Sequence, residues 1–317
     1  MVTQAFIFFR YSGFCIHLRW AKAKAKNDEN FKLDFVSFWK RRIIRLYPAY
    51  LVTLAICLSI QYFRGELVFS SFFVWDIVSH ILMIHNFDAR TVYSINGVLW
   101  TLAIEEQLYL AYFLLVFLRE KFGWKYTMLI CVLARIGWFA LAFALNKFIG
   151  YQLPVIESSM ANWCIWALGA VSIEAMLGII KLPKWMSSIS IGCLFLILAA
   201  TVQLIDLKLG NTGIFNKFTW LVYQPLWGFG FFVIINRFVK SEINWFKEKA
   251  THYSNKNYTI KFWAFVGVFS YSLYLTHEII LDFVKSPIIL AVLICLLFSW
   301  VFYLIFEKPF VQYLAKK

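Results

Sequence analysis

Residues 98–118 carry Thr101, Glu105, Tyr109 and Tyr112 at a spacing that a helix gathers within about 80° of one face, while Glu106 points about 100° away from Glu105. A carboxylate among hydroxyl groups in an otherwise apolar stretch can orient a reacting group or fix helix packing. Residues 262–283 repeat the pattern, with Ser270, Tyr274 and His277 on one stripe and Glu278, Asp282 and Lys285 beside it. At 1.5 Å per residue, Glu105 and His277 each stand roughly 10 Å in from the outer end of their segment, at matching depth. A His at that level is either a hydrogen-bonded packing residue or a proton acceptor near pH 7. Arg135, near the middle of 124–146, needs a counter-charge, and Glu105 or Glu174 could supply it. Arg41, Arg42 and Arg45 precede the apolar run 46–63. Guanidinium groups there suit paired phosphate contacts or an ordinary basic anchor.

Other chemistry is thinly represented. Cys15, Cys57, Cys131, Cys164, Cys193 and Cys295 fall in or near apolar runs with no C-x-x-C pair, so they read as small apolar residues rather than as a metal or disulfide framework. His80 and His85 stand in 64–97 at a spacing that could suggest a metal, but no ligand cluster completes it. That segment reads instead as an outer surface or interfacial helix capping a cavity.

The elements that must position these residues follow from composition. Of 317 residues 62% are hydrophobic and only 15% charged, with a mean hydropathy of +0.69. A soluble domain is nearer half apolar and a quarter charged, so one aqueous core cannot absorb this chain. Spans of about 20 mostly apolar residues cross the hydrocarbon. Eight segments qualify: 46–63, 98–118, 124–146, 160–180, 186–205, 218–238, 262–283 and 287–306; a shorter ninth, 2–18, carries Arg10. The expectation is an all-α, polytopic integral membrane protein of about nine transmembrane helices, with 1–317 forming a single domain. No signal peptide is evident, since Met1–Phe9 lacks a basic flank.

Lys and Arg accumulate in cytoplasmic loops. The 19–45 loop holds nine of them, and together with the loops near 119–125, 181–184, 237–261 and 308–317 it accounts for 23 of the 31. The opposite loops hold six. This alternation puts the C-terminus in the cytoplasm and Met1 on the far side, and one more upstream span would bring the N-terminus inside. The net charge of +14 then reflects topology and attraction to anionic membrane lipid, not nucleic acid.

Several separate motifs resemble the acyltransferase-3 family of bacterial membrane O-acyltransferases. They are SGFCIHL at 12–18, FWKRRIIRLYPAYL at 38–51, INGVLWTLAIEEQLYL at 95–110, GVFSYSLYLTHE at 267–278 and YLIFEKPF at 303–310, in the family's order and covering nearly the whole chain. The resemblance implies a ten-span fold in the bacterial inner membrane and transfer of an acyl group, commonly acetyl, from cytoplasmic acyl-CoA to a hydroxyl of an extracytoplasmic glycan. No bound cofactor is implied. The family's Arg-x10-His motif, with its catalytic His, lies in its first span, and this sequence begins its resemblance at the second. Arg10 and Tyr11 depart from the apolar residues usual before SGF, the pattern expected of a misplaced start or a frameshift.

In such a transfer the acceptor hydroxyl loses a proton as it attacks the thioester, and the thiolate, with a pKa near 8.5, leaves readily. Fixed donors must stabilise the oxyanion. Tyr109, Tyr274 and His277 are the candidate donors or orienting groups, Glu105 a partner for the missing His or for Arg135, and Arg41, Arg42 and Arg45 the CoA-phosphate ligands. Two other classes compete with the enzyme reading: an inactive remnant of the family, and a glycan or lipid transporter. No pair of broken helices at corresponding positions favours the transporter.

Overall fold

The computed structural model describes the backbone of residues 2–28, 31–209, 214–249, 258–284 and 287–315, and the side chains of 12–28, 31–208, 219–238, 261–284 and 287–315. Arg10, Tyr11 and Lys285 lie outside the described side chains. Every regular element there is helical: α1 Val2–Ala25, α2 Phe35–Phe63, α3 Ser71–Ile81, α4 Trp100–Ile149, α5 Ser159–Met176, α6 Ile189–Leu209, α7 Ile214–Lys249, α8 Tyr258–Val268, α9 Ser270–Phe283, α10 Ile288–Phe302 and α11 Lys308–Ala315. Among the described residues four helices are long and apolar enough to cross a membrane, namely α2, α4, α6 and the run Ile288–Ala315, and the α8–α9 pair makes a fifth if counted as one span. The chain therefore has the multi-pass membrane character that its composition predicts.

The boundaries differ from the predicted spans where glycine intervenes. Segments 98–118 and 124–146 run together as α4, broken at Gly123, whose φ of 73° and ψ of 172° lie outside the helical region. Only glycine enters that conformation without a Cβ penalty. Segment 262–283 is bent by 75° between α8 and α9, with the Ser270 hydroxyl donating to the Gly267 carbonyl at the bend (3.0 Å). α5 stops two residues before Gly178, which takes φ +77°. There the Ile179 N–H returns to the Glu174 carbonyl at 2.9 Å, a left-handed cap that satisfies carbonyls at the helix end.

The chain divides into two compact units, one from the described parts of 1–32 and 104–250, the other from 33–103 and 251–317. In the first, α1 packs on α5 and α6 on α7. Glycines permit both approaches: a Cβ on Gly13 would stand 2.2 Å from the Trp166 carbonyl, and one on Gly230 would stand 2.6 Å from Leu196. Small residues at helix crossings are the usual membrane solution, because lipid offers no hydrophobic force to drive helices together. Polar glue joins α6 and α7, where Asp206 accepts from Thr219 and from Trp220 Nε1, the latter at 3.0 Å, and Gln203 accepts from Trp227 at 2.9 Å.

The second unit packs α9 on α10 and on α2 around Tyr50, Leu54, Leu99 and Leu275. Asp34 caps α2 by accepting from the Val36 and Ser37 amides at 3.1 and 3.3 Å. A hydrogen bond from the Ser37 hydroxyl holds its carboxyl below the usual carboxylate range.

Candidate functional site

Two polar layers, one turn and a half apart on α4, belong to the first unit. In the upper layer Glu105 Oε1 accepts from Ser12 Oγ at 2.6 Å and from the Tyr109 hydroxyl. Trp166 Nε1 reaches Ser12 Oγ at 3.4 Å. The helical-face reading of Glu105 and Tyr109 thus corresponds to a real contact, because residues four apart on a helix are neighbours. Ser12 arrives from the SGF motif, and the tight α1–α5 crossing at Gly13 sets its position.

The lower layer centres on Glu174, fully buried on α5. It accepts from Arg119 Nε and Nη2 at 2.8 and 2.6 Å, from Trp124 Nε1 at 2.9 Å and from His17 Nε2 at 3.0 Å. A carboxylate facing a bidentate guanidinium is ionised and can only accept, so His17 Nε2 carries a proton. Its Nδ1 is then free to accept from the Tyr112 hydroxyl, 3.2 Å away. Trp20 stacks on the imidazole, with ring centroids 4.7 Å apart. Tyr112, His17 and Glu174 form a hydroxyl–imidazole–carboxylate series, an arrangement that orients a proton acceptor.

This layer was only half visible in the sequence. Tyr112 falls on the polar face of 98–118, but no spacing distinguishes His17 within SGFCIHL, and the sequence pairs Glu174 with Arg135. That pairing is corrected here, as is the alternative with Glu105. Arg135 donates to the carbonyls of Ala161, Trp220 (2.7 Å) and Leu221 (3.3 Å) and to Gln224 Oε1 (2.8 Å), and among the described residues no carboxylate lies within ion-pair distance of it. The Leu221 carbonyl, which Pro225 deprives of its helical donor, and other backbone oxygens satisfy the guanidinium, and sequence spacing does not display them.

The second unit holds Tyr274 and His277. The Tyr274 hydroxyl donates to the Val98 carbonyl at 3.0 Å and contacts Thr101 Oγ1, while His277 Nδ1 lies 2.7 Å from the Tyr274 carbonyl. Glu105 and Tyr109 sit in one unit and Tyr274 and His277 in the other, and each pair is anchored within its own.

A cavity of about 280 Å³ opens in the second unit, lined by Gln61, Arg64, Tyr93, Asn96, Glu278 and Asp282 among others. Arg64 pairs with Asp282 at 2.5 Å. Glu278 accepts from the Gly97 and Val98 amides, while among the described residues its Oε2 has no hydrogen-bond partner. Gly97 is required there, since a Cβ would fall 2.5 Å from Glu278 Oε1. Beside this region His80, on α3, is fully buried and stacks on His85 with centroids 3.9 Å apart. His80 Nδ1 lies 2.9 Å from the Asp76 carbonyl and 3.2 Å from its carboxylate. Burial pushes the His85 pKa well down. Arg90 holds the Asp88 carboxyl below its ordinary value.

Near the start of α2, Arg42 lies over the Phe38 ring, 3.4 Å from its centroid, and donates to the Phe38 carbonyl. Arg45 stands 4.0 Å from the buried Glu307, and Arg41 is exposed. Among the described residues no group of three His, Cys, Asp or Glu side chains could hold a metal ion.

Comparison with known proteins places the chain in a family. The chain is similar to the peptidoglycan O-acetyltransferase OatA of Listeria monocytogenes, at 35% identity over 130 residues, which is 36% of this chain and 20% of the relative. It is also similar to the O-acetyltransferase OatA of Staphylococcus aureus, at 34% identity over 102 residues, 29% of this chain and 17% of the relative. The matched stretches thus span a fifth or less of those relatives' length. No solved structure matches. A model of the acyltransferase domain covers residues 7–307, reaching from the helix that supplies Ser12 and His17 to buried Glu307, and the chain belongs to the acyltransferase-3 family.

Proposed function

We propose that the chain is a membrane O-acyltransferase that moves an acyl group, acetyl in the simplest case, from cytoplasmic acyl-CoA to a hydroxyl of an extracytoplasmic glycan. The observation that carries the reading is the pair of polar layers on α4, set among apolar helices in a chain of this family. Ionisable groups are costly in hydrocarbon and mark sites of chemistry when they recur together. The family and the names of its relatives support acyl transfer. The donor, the glycan acceptor, the nine-span arrangement and the inner-membrane location with a cytoplasmic C-terminus belong to the proposal.

In this reading the acceptor oxygen bonds to the thioester carbon, the C–S bond breaks, and CoA leaves as its thiolate. The acceptor proton passes to a base; Tyr112 hydrogen-bonded to neutral His17, with Glu174 stabilising the imidazolium that results, is a chain able to take it. Glu105 and Tyr109 orient the reacting groups. Arg41, Arg42 and Arg45 bind donor phosphates. The 280 Å³ cavity has carboxylates, amides and an aromatic face at Tyr93, the side-chain types that hold a sugar ring by hydrogen bonds and stacking.

Inverted membrane vesicles containing the full chain, given labelled acetyl-CoA, are expected to accumulate alkali-labile acetyl esters on glycan, and Glu105→Gln to reduce that label at least tenfold. Vesicles that show no label beyond those lacking the chain would defeat the reading. Replacing Arg42 and Arg45 with Gln is expected to weaken acyl-CoA binding several-fold while membrane insertion persists. Unchanged affinity in an active preparation would remove the donor assignment.

A further inference from the structure

The largest cavity among those described lies in the first unit, where the second half of α4, α5, the 180–186 segment and α6–α7 meet, and it borders the lower polar layer through Arg119 and Trp124. It encloses about 860 Å³, a volume at the upper end for a small-molecule site. Its walls are almost wholly apolar, with Leu168, Met186, Phe229 and Phe232 among them. Three cations line it: Arg119, Lys125 and Lys181. No carboxylate does. Arg119 is already committed to Glu174, whereas among the described residues neither Lys125 nor Lys181 pairs with an acid. Lys125, just past the Gly123 break in α4, and Lys181 both belong to stretches that the charge pattern assigns to the cytoplasmic side. Trp124 lines the same cavity and Trp185 lies on the neighbouring segment, 43% exposed, as indoles do at the level of lipid headgroups.

We propose that this cavity binds one anionic phospholipid of the cytoplasmic leaflet, with its phosphate at Lys125 and Lys181 and an acyl chain in the apolar chamber. Basic pockets between membrane helices on the cytoplasmic side suit such headgroups. The chamber favours a lipid over acyl-CoA on chemical grounds. The pantetheine amides and adenine of CoA need hydrogen-bond partners when buried, and the walls supply almost none, since the Trp124 N–H and the Arg119 guanidinium are spent on Glu174. A hydrocarbon chain needs none. Occupancy would also brace Trp124 and Arg119, two of the three side chains that hold Glu174 in place. The assignment does not depend on which acyl acceptor the chain uses.

The test is native mass spectrometry of the full chain released from nanodiscs of equal phosphatidylglycerol and phosphatidylcholine. One retained phosphatidylglycerol per chain is expected. Lys125→Gln with Lys181→Gln should weaken its retention about thirtyfold, the worth of two surface lysines toward an anionic headgroup, with phosphatidylcholine unaffected. Lys125→Arg with Lys181→Arg should retain it. Leu168→Trp, which fills the chamber and leaves the lysines alone, should also expel it, so a folding defect of the charge variant would not decide the matter. Equal occupancy across all variants overturns the proposal, and so does one-for-one displacement of the lipid by acetyl-CoA, which would make the cavity a donor site.

Discussion

Glu174 receives four hydrogen bonds from three side chains and is fully buried, so its charge has no recourse to water. Removing one partner from a buried ion pair typically costs 3–5 kcal/mol. Arg119 keeps 21% of its side chain exposed, which brings the expected cost of Glu174→Ala to about 2–3 kcal/mol, read as a fall in the midpoint of thermal unfolding in detergent. The Lys24–Glu120 pair offers the contrast. Its side chains are 51% and 45% exposed, and Glu120→Ala should change stability by no more than about 0.5 kcal/mol. A comparable loss in the two variants would mean that the lower layer is not a stability element. His85 makes a prediction about pH. Burial keeps it neutral in the folded chain, while in the unfolded chain it titrates near 6.5. As pH falls through that value the unfolded state gains a proton that the folded state refuses, so stability falls toward acid. His85→Phe, which keeps a ring against His80, should flatten the dependence of the unfolding midpoint between pH 7.5 and 5.5; an unchanged slope would assign the acid sensitivity to other groups.

At the scale of helices, the α1–α5 crossing is set by one residue. A Cβ on Gly13 would meet the Trp166 carbonyl at 2.2 Å and its indole at 3.2 Å, and backbone cannot yield as a flexible side chain can. Gly13→Ala should force the helices apart at a cost of about 1–3 kcal/mol and pull Ser12 from Glu105, lowering acyl transfer along with stability. Gly137→Ala is the control, since nothing lies within 4 Å of its Cβ site and a helix interior gains from alanine. If both behave alike, close approach at Gly13 is not what the SGF motif provides. The same crossing explains what was legible beforehand. Apolar runs and basic loops announce helices, and i, i+4 spacing announced Glu105 with Tyr109. Contacts such as His17 to Glu174, 157 residues apart in the chain, are made by helix packing and leave no local signature. The partners of Arg135 leave no mark in the sequence because they are mostly carbonyl oxygens, identical at every position, and the 75° break in 262–283 lies inside a mostly apolar run.

For the molecule as a whole, everything proposed about direction rests on sidedness. Lys and Arg are held back in the cytoplasm during insertion, and the loops carrying 23 of the 31 include those that bear Arg41, Lys125 and Lys181. The 280 Å³ cavity with Glu278 and Tyr93 opens near the sparsely basic 64–97 segment. Lys26→Cys and Glu66→Cys separate the alternatives, because each stands exposed at the end of a helix on opposite sides of the predicted orientation. A membrane-impermeant maleimide applied to intact cells should label Glu66→Cys and spare Lys26→Cys, and inverted vesicles should reverse the pattern. The native Cys15 and Cys193, exposed but set on apolar helices, provide the background to subtract. Reversed labelling would put the arginine cluster and the lipid cavity outside, away from any pool of acyl-CoA. The transfer would then lack a donor, however well its polar layers were built, so sidedness constrains the function as strongly as the site does.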